Sequence, residues 1–403
     1  MSFVTSILIS AVLILISCNV WADAFENILR ERIIENGFLM PSQLNPKYKN
    51  DFSNIGKKIF ESENISLTSN ISCKTCHFVE AGSSDGLPVS AAIGGIGQGK
   101  ERLLSGGKLL ARNSLPLWGR GAIEFGAFFW DGKVIVSDGS IISQFGSVPP
   151  SEDPLIVALH LPVVEIREMI DETEFIQNNK LENVDAAYRV YKELARSLVV
   201  NEPEVSNALA DLLKIRTSEL TFKHYAEAIA EFIRKEFPIK TSRLSKFIKK
   251  EVAFTKEELN GGLIFYGKGG CVNCHSGPHF SDFEFYAIPF PQEGFGKSGF
   301  GVDYGRYSAT FNPDDIYKFR TPPLWNVEKT FPYGHSGSLS TLNDVVVAHF
   351  DPLSLINMND LDSFQRHELY KKISKSDECA GGCGFLQKNE VADLVEFLKT
   401  LSF

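Results

Sequence analysis

Long runs of charge of one sign are absent from this 403-residue chain, and so are low-complexity segments. The formal net charge is −9, so the sequence predicts no nucleic-acid partner. A phosphate-binding loop is also missing, and the glycines at 91–100 follow no predicted strand, which argues against a dinucleotide site. With 43% hydrophobic and 23% charged residues, the composition is that of a soluble protein long enough for two domains.

A hydrophobic run long enough for a comfortable membrane span is lacking too, because the apolar stretch 3–18 is too short. Its N-terminal position predicts a signal peptide over residues 1–22, cleaved after Ala22, and a mature protein in the periplasm. No lysine or arginine precedes the run, which leaves an uncleaved anchor as an alternative. Residues 15–18 also resemble a bacterial lipoprotein box, in which Cys18 would carry a lipid anchor.

Cysteine is scarce, and four of the seven cysteines belong to two C-x-x-C-H clusters. Two thiols at i and i+3 can each add to one vinyl group of a haem, and the next imidazole then reaches the iron. A zinc site would bring its paired clusters within about 20 residues, and a redox cysteine pair needs no histidine. The sequence therefore predicts two covalent c-type haems with a proximal histidine in each cluster. The residues of the two clusters are Cys73, Cys76, His77, Cys271, Cys274 and His275.

Two further cysteines, Cys379 and Cys383, are close enough in sequence to form a small disulfide in an oxidising compartment. Free thiols in a glycine-rich loop are the alternative. The spacing alone does not choose between them.

Helical periodicity is clear at 184–199 and 203–237, where apolar residues recur at intervals of three and four. The C-terminal stretch 389–403 has the same pattern. From the first cluster to residue 155 the chain is rich in glycine and proline, which predicts long loops that wrap a cofactor or form a binding surface.

Similar sequences precede the two clusters, GKKIF at 56–60 and GGLIF at 261–265. This pattern predicts a mainly α fold with two cytochrome c-like haem domains arranged as an internal duplication. We assign the N-terminal haem domain to residues 23–240 and the C-terminal haem domain to residues 241–403.

The two clusters, together with FFWDGK at 128–133 and FRTPPLWNVEKTFPYGHSG at 319–337, resemble the bacterial di-haem cytochrome c peroxidases. The same superfamily contains the MauG-type enzymes of methylamine utilisation, which oxidise a protein substrate. The resemblance extends from about residue 50 to the C-terminus. It implies a peroxidatic N-terminal haem and a C-terminal haem that receives electrons.

The resemblance also implies roles for individual residues. Trp130 would lie between the haems and assist electron transfer, with core packing as the alternative. Pro162 and Glu168 would lie over the open face of the N-terminal haem, where a carboxylate can move a proton between the two peroxide oxygens. Glu165 is a rival for this task. Gln144 matches a glutamine near the pocket, although it lies farther from Trp130 than usual.

Between Phe78 and Leu159 the chain contains neither a histidine nor a methionine. Ordinary members of the family have a histidine in this loop that occupies the iron until the other haem is reduced. We therefore expect a five-coordinate N-terminal haem that needs no reductive activation. His160 is the residue that would overturn this expectation.

The far-side ligand of the C-terminal haem is often a methionine in this family, but Phe331 stands at that position. A histidine or tyrosine in its place would lower the reduction potential of this haem, and a tyrosine would resemble the MauG-type branch. The candidates are Tyr333, His335 and His349, followed by Met358 and His279.

The family also holds a calcium ion between its domains. Asn113 falls near the usual asparagine ligand, and Asn312 and Asp314 fall near the other ligands. Oxygen ligands of this kind suit calcium, and turn formation is the alternative role for the three residues.

Three functions are consistent with these features. The first is a periplasmic peroxidase that reduces hydrogen peroxide with electrons from a small cytochrome c or cupredoxin. The second is a MauG-like enzyme that oxidises residues of a partner protein through a high-valent iron state. The third is a di-haem electron carrier without peroxide chemistry. A homodimer is consistent with all three.

Overall fold

The chain is mainly helical, as the sequence predicts, in a computed structural model that describes residues 23–171, 184–376 and 385–403. Within these ranges no helix is both long and apolar enough to cross a membrane. The predicted signal peptide, the Cys18 lipid site and the Cys379–Cys383 pair lie outside the described residues.

The helices are 23–35 (α1), Pro41–Leu44 (α2), Asn50–Glu61 (α3), Cys73–Cys76 (α4), Lys100–Leu104 (α5), Pro154–Leu159 (α6), Val184–Asn201 (α7), Pro203–Leu213 (α8), Phe222–Glu236 (α9), Arg243–Ile248 (α10), Lys256–Phe265 (α11), Tyr307–Thr310 (α12), Leu342–Phe350 (α13), Ser363–Ser374 (α14) and Lys388–Lys399 (α15). The strands are Ala127–Phe128 (β1), Val134–Ser137 (β2), Ser140–Ser143 (β3), Phe285–Tyr286 (β4) and Phe319–Arg320 (β5).

The first hydrophobic core forms around α3 and α9, which pack closely against each other. Buried side chains on α9, including Tyr225, Ile229 and Ile233, recur at the spacing of one helix face. Gly56 on α3 lies against the backbone of α9, where a Cβ atom would clash with the carbonyl oxygen of Ala228. A glycine at this position allows the two helices to approach.

The second core contains a similar pair, α11 and α15. Gly261 on α11 lies against the backbone of α15, where a Cβ atom would clash with the carbonyl oxygen of Asp393. In both pairs the glycine precedes a buried isoleucine and phenylalanine by three and four residues. These are Ile59, Phe60, Ile264 and Phe265. The correspondence agrees with the predicted duplication, which stays a prediction.

The second core combines residues from both ends of the described chain. The first core draws on residues 55–237, and the second on residues 239–401 together with 29–44. The segment 29–44, which a division at residue 240 assigns to the N-terminal domain, therefore packs with the C-terminal one.

Each half contains one small sheet, and a loop of the first sheet is bonded to a strand of the second. Strands β1, β2 and β3 form an antiparallel sheet, and β4 pairs with β5. The loop between β1 and β2 carries Trp130, whose carbonyl oxygen accepts a hydrogen bond from the backbone N–H of Arg320 (2.9 Å). Arg320 Nε donates to the carbonyl oxygen of Phe129 (3.1 Å). The FFWDGK motif is thereby fixed against β5 of the C-terminal half.

Candidate functional site

The first C-x-x-C-H cluster lies on α4, whose single turn places both thiols on one side of the backbone. His77 follows directly, and its Nδ1–H donates to the carbonyl oxygen of Ser83 (3.0 Å). Burial lowers the pKa of His77 to about 4, so the ring is neutral. A backbone bond at Nδ1 fixes the ring and leaves Nε2 for a metal, the usual arrangement of an iron-binding histidine.

The second cluster repeats this local geometry on a short 3-10 turn, Cys271–Asn273. His275 Nδ1–H donates to the carbonyl oxygen of Phe280 (2.9 Å). Burial also lowers the pKa of His275 to about 4. Both predicted proximal ligands therefore use Nδ1 for a backbone carbonyl and present Nε2 to the predicted iron.

A mainly apolar cavity of about 260 Å³ adjoins the second cluster, with Cys271, Cys274 and His275 in its wall. Two groups in the same wall carry buried N–H donors that have no hydrogen-bond partner among the described residues, the Arg320 guanidinium and the Trp118 indole. Two thiols, an imidazole, an apolar wall and cationic donors are what a haem with its carboxylates requires. The residues present therefore fit the predicted cofactor.

Trp130 also lies in the wall of this cavity. Its indole N–H donates to the carbonyl oxygen of Asn113 (3.0 Å). The next residue, Ser114, donates from its hydroxyl to the carbonyl oxygen of Cys76 in the first cluster (3.2 Å). Two hydrogen bonds and the two-residue segment between them thus connect Trp130 to the first cluster, while its side chain borders the second.

A buried ion cluster surrounds the residue after Trp130. Arg112 pairs with Asp131 (2.6 Å) and with Asp303 (2.7 Å), and both aspartate side chains are fully buried. Lys297 also pairs with Asp131 (3.2 Å). Although burial acts in the opposite direction, Arg112 lowers the pKa of Asp303 to about 2. Removal of Arg112 would leave the buried carboxylate of Asp303 without its cationic partner and Asp131 with Lys297 alone, a costly change.

Burial raises the pKa of both the Cys73 and Cys76 thiols, and the charge of Glu168 adds to this effect. Glu168 therefore lies within electrostatic reach of the first cluster. Glu168 forms no recorded hydrogen bond or ion pair with the described residues, whereas Glu165 binds Lys133 (3.0 Å). Burial, followed by the charge of Glu165, raises the pKa of Glu168 to about 7. Of the two rival carboxylates, Glu168 is therefore the one that can exchange a proton near neutral pH.

Pro162 begins a short 3-10 turn, Pro162–Val164, directly before these carboxylates. Gln144 follows β3 and is exposed, and no hydrogen bond joins it to Glu168 within the described ranges. The structure thus brings Glu168 close to the cysteines but does not connect Gln144 to them.

His160 is a core residue. Its Nδ1–H donates to the carbonyl oxygen of Ile156 (2.7 Å), and only 2% of the residue is exposed. The rings of Phe145, Tyr191 and Phe222 pack edge-on around the imidazole at centroid distances of 5.0–6.2 Å. This packing supports the expectation that His160 does not bind the first iron.

Three candidate ligands of the second iron line the cavity, and their hydrogen bonds distinguish them. His335 is stacked on Phe319 and bonded through Nε2 to the Gln292 side chain (2.9 Å). The Tyr333 hydroxyl donates to the carbonyl oxygen of Glu328 (3.3 Å).

His349 resembles the two proximal histidines instead. Its Nδ1–H donates to the carbonyl oxygen of Val345 (2.7 Å). Its charge, after burial, contributes to the lowered pKa of His275, so the two imidazoles are close together. The weaker candidates are less suitable, since Met358 is 44% exposed and His279 bonds through Nε2 to the Ile123 carbonyl (2.8 Å).

Among the described residues, no hydrogen bond joins Asn113 to the other two predicted calcium ligands, Asn312 and Asp314. The Asn113 side-chain amide donates to the carbonyl oxygen of Leu87 (2.7 Å). Asn312 is exposed and accepts a hydrogen bond from the N–H of Asp314 (3.1 Å). No group of three histidine, cysteine, aspartate or glutamate side chains in the described part of the chain is arranged to hold a metal ion. The calcium site stays a prediction.

Residues 51–253 match the sequence profile of the di-haem cytochrome c peroxidase family, and the chain belongs to this family. This confirms the predicted family, and with it the prediction that the protein is an oxidoreductase that contains haem.

The chain is similar to cytochrome-c peroxidase IdrP1 of Pseudomonas sp. (strain SCT), with 24% identity over 372 residues that cover 86% of this chain and 80% of that protein. It is similar to the methylamine utilization protein MauG of Methylorubrum extorquens, with 25% identity over 304 residues that cover 73% and 67% of the two chains. It shares the fold of the diheme peroxidase BthA from Burkholderia thailandensis, with a TM-score of 0.61 and 20% identity over 91% and 89% of the chains.

Proposed function

We propose that this protein is a periplasmic peroxidase that reduces hydrogen peroxide to water at the N-terminal haem, held by Cys73, Cys76 and His77. Two electrons and two protons convert each peroxide into two water molecules. The observation that carries this proposal is that Glu168 lies within electrostatic reach of Cys73 and Cys76, with a pKa that burial, and then Glu165, raises to about 7. Haem supplies the iron at which peroxide is bound and reduced.

The first cluster has the properties that peroxide chemistry requires. Glu168 takes a proton from one peroxide oxygen and delivers it to the other, so that water leaves when the O–O bond breaks. The predicted loop ligand of ordinary family members has no counterpart between Phe78 and Leu159, and His160 is held in the aromatic core. Both features support an iron that is open to peroxide at rest.

Electrons arrive at the second cluster and pass to the first through Trp130. The hydrogen bond from its indole to Asn113, beside the segment that contacts Cys76, supports this route. A small cytochrome c or cupredoxin is the proposed donor, and the net charge of −9 favours a basic surface on that donor.

A MauG-like oxidation of a partner protein is the second candidate. Phe331 in place of the methionine and the missing loop histidine both favour it. Stopped-flow and steady-state assays with hydrogen peroxide and a reduced cytochrome c separate the two functions. Repeated rapid turnover is expected for the peroxidase. Very slow turnover, with a long-lived oxidised state that decays only when a protein substrate is added, would instead establish the second function.

We propose that His349, in the wall of the second cavity, would be the second protein ligand of the C-terminal haem iron. We expect electron paramagnetic resonance of the oxidised protein to show one high-spin and one low-spin haem. Replacement of His349 by alanine is expected to convert the low-spin signal to high spin, because the iron loses a strong ligand.

Tyr333→Phe is the matched control, since it changes another residue of the same cavity wall. It should leave both signals in place. If Tyr333→Phe abolishes the low-spin signal and His349→Ala does not, tyrosine is the ligand. Two low-spin haems in the parent protein would contradict the open first iron.

A further inference from the structure

Two arginines in the wall of the second cavity lack a negative partner. Arg120 and Arg320 are only 6% and 1% exposed, and both line the cavity that contains Cys271 and Cys274. Arg320 uses Nε for the Phe129 carbonyl, and its Nη1 and Nη2 atoms have no partner among the described residues. Arg120 donates from Nε to the carbonyl oxygen of Pro116 (2.9 Å).

The charge of this pair is not balanced inside the cavity. None of the described residues that line it is an aspartate or a glutamate. Burial lowers the pKa of Arg120 to about 9. Burial also lowers the pKa of Arg320, and the positive charge of Arg120 lowers it further. A buried charge without an opposite partner is strongly unfavourable, so the two guanidiniums together require anions.

The neighbouring ion cluster contains a buried arginine whose charge is balanced by carboxylates. Arg112 is almost as buried as the cavity pair, with 13% of its side chain exposed, and it contacts two carboxylates at 2.6 and 2.7 Å. Arg120 and Arg320 have no such partner, yet they line the same cavity as the cysteines that would hold a cofactor bearing two carboxylates. The Trp118 indole N–H, also without a partner in the described ranges, points to the same requirement.

We infer that Arg120 and Arg320, with the Trp118 indole, bind the two carboxylates of the haem attached at Cys271 and Cys274. Arginine is suited to this task because its planar fork donates two parallel hydrogen bonds to a carboxylate. The inference rests on the covalent haem of the proposed function, and not on the peroxide reaction.

The arrangement has a consequence for the electron-receiving haem. Reduction lowers the charge of a haem iron by one unit, so nearby positive charge stabilises the reduced form. Arg120 also contributes, after burial, to the lowered pKa of His77, and therefore lies within electrostatic reach of the first cluster. The arginine pair is nevertheless in the wall of the second cavity, so the larger effect is expected on the second haem.

The test is a spectroscopic redox titration of the purified holoprotein and of Arg120→Gln, Arg320→Gln and Arg320→Lys. In Arg120→Gln and Arg320→Gln, the reduced-to-oxidised ratio of the second haem at a fixed potential is expected to fall about tenfold. For a one-electron couple this corresponds to 59 mV. Arg320→Lys keeps the charge and should recover most of the shift. The potential of the first haem should change less.

Arg243→Gln is the control, because Arg243 already pairs with Glu258 (2.8 Å) and does not line the cavity. Its second-haem potential should remain at the parent value. Loss of the second haem in Arg320→Gln but not in Arg243→Gln also supports the inference, and Arg120→Gln decides if Arg320→Gln does not accumulate.

Unchanged potentials at full haem content in both glutamine variants, or a shift confined to the first haem, would overturn the inference. A parent protein with one haem per chain would instead refute the proposed function. The two failures are thus distinguishable without an activity assay.

Discussion

Replacement of Glu168 by glutamine is expected to lower kcat/KM for hydrogen peroxide by about 10²- to 10⁴-fold, the usual contribution of a positioned acid–base group. Glutamine keeps the size of the side chain but can neither accept nor return the peroxide proton. Haem content and the spectra of both haems should stay unchanged. Pre-steady-state kinetics with excess peroxide measures the effect directly. A variant that reacts at the parent rate would remove Glu168 from the mechanism.

The rate of peroxide reduction should depend on pH in a direction that the role of Glu168 determines. Glu168 must be ionised to accept the first proton, so the rate should rise with pH through the pKa of about 7. The charged groups that act on Glu168 are Glu165, Lys133 and Lys297. Because Glu165 raises the pKa of Glu168 and Lys133 lowers it, Glu165→Gln should move the inflection to lower pH and Lys133→Met to higher pH. Shifts in the same direction would contradict this assignment.

Loss of either cysteine pair is the second prediction with a large effect. We expect Cys73→Ser/Cys76→Ser to carry one haem per chain and to lose peroxide reduction entirely. Cys271→Ser/Cys274→Ser should also carry one haem, but it should still react once with peroxide and then fail to accept electrons from the donor. Mass spectrometry of the denatured chains counts the attached haems.

The two double variants are matched, since each removes one pair of thioether links and retains the proximal histidine. The opposite result, with peroxide reduction lost only in Cys271→Ser/Cys274→Ser, would exchange the roles of the two haems. Two haems in either variant would show that these cysteines are not the attachment points.

Short-range spacing explains why part of the site could be predicted from the sequence. The clusters are recognisable because thioether attachment depends on residues that are close along the chain. Trp130 and Glu168 were predicted from the resemblance of FFWDGK and of the Pro162–Glu168 spacing to the family's motifs. Local periodicity likewise predicted helices at 184–199, 203–237 and 389–403, although the structure divides 203–237 into α8 and α9. The buried faces of α9 and α15 follow the predicted periodicity.

Contacts between distant segments could not be predicted in this way. Arg112 and Asp303 are 191 positions apart, and no local pattern relates them. The unbalanced charge of Arg120 and Arg320 becomes visible only when a cavity is formed around them. The choice of His349 among three candidates also needed the fold, because it depends on the hydrogen-bond partner of each side chain in the cavity wall.

The position of the first helix affects how an anchored form of this protein would be oriented. Residues 29–44 pack into the second core. The N-terminal end of the described chain therefore lies on the half that contains Cys271 and Cys274. A lipid carried at Cys18 would therefore tether that half next to the bilayer. Donors diffusing along the membrane surface would meet the electron-receiving side first, while the peroxide-reducing side would face the open periplasmic space.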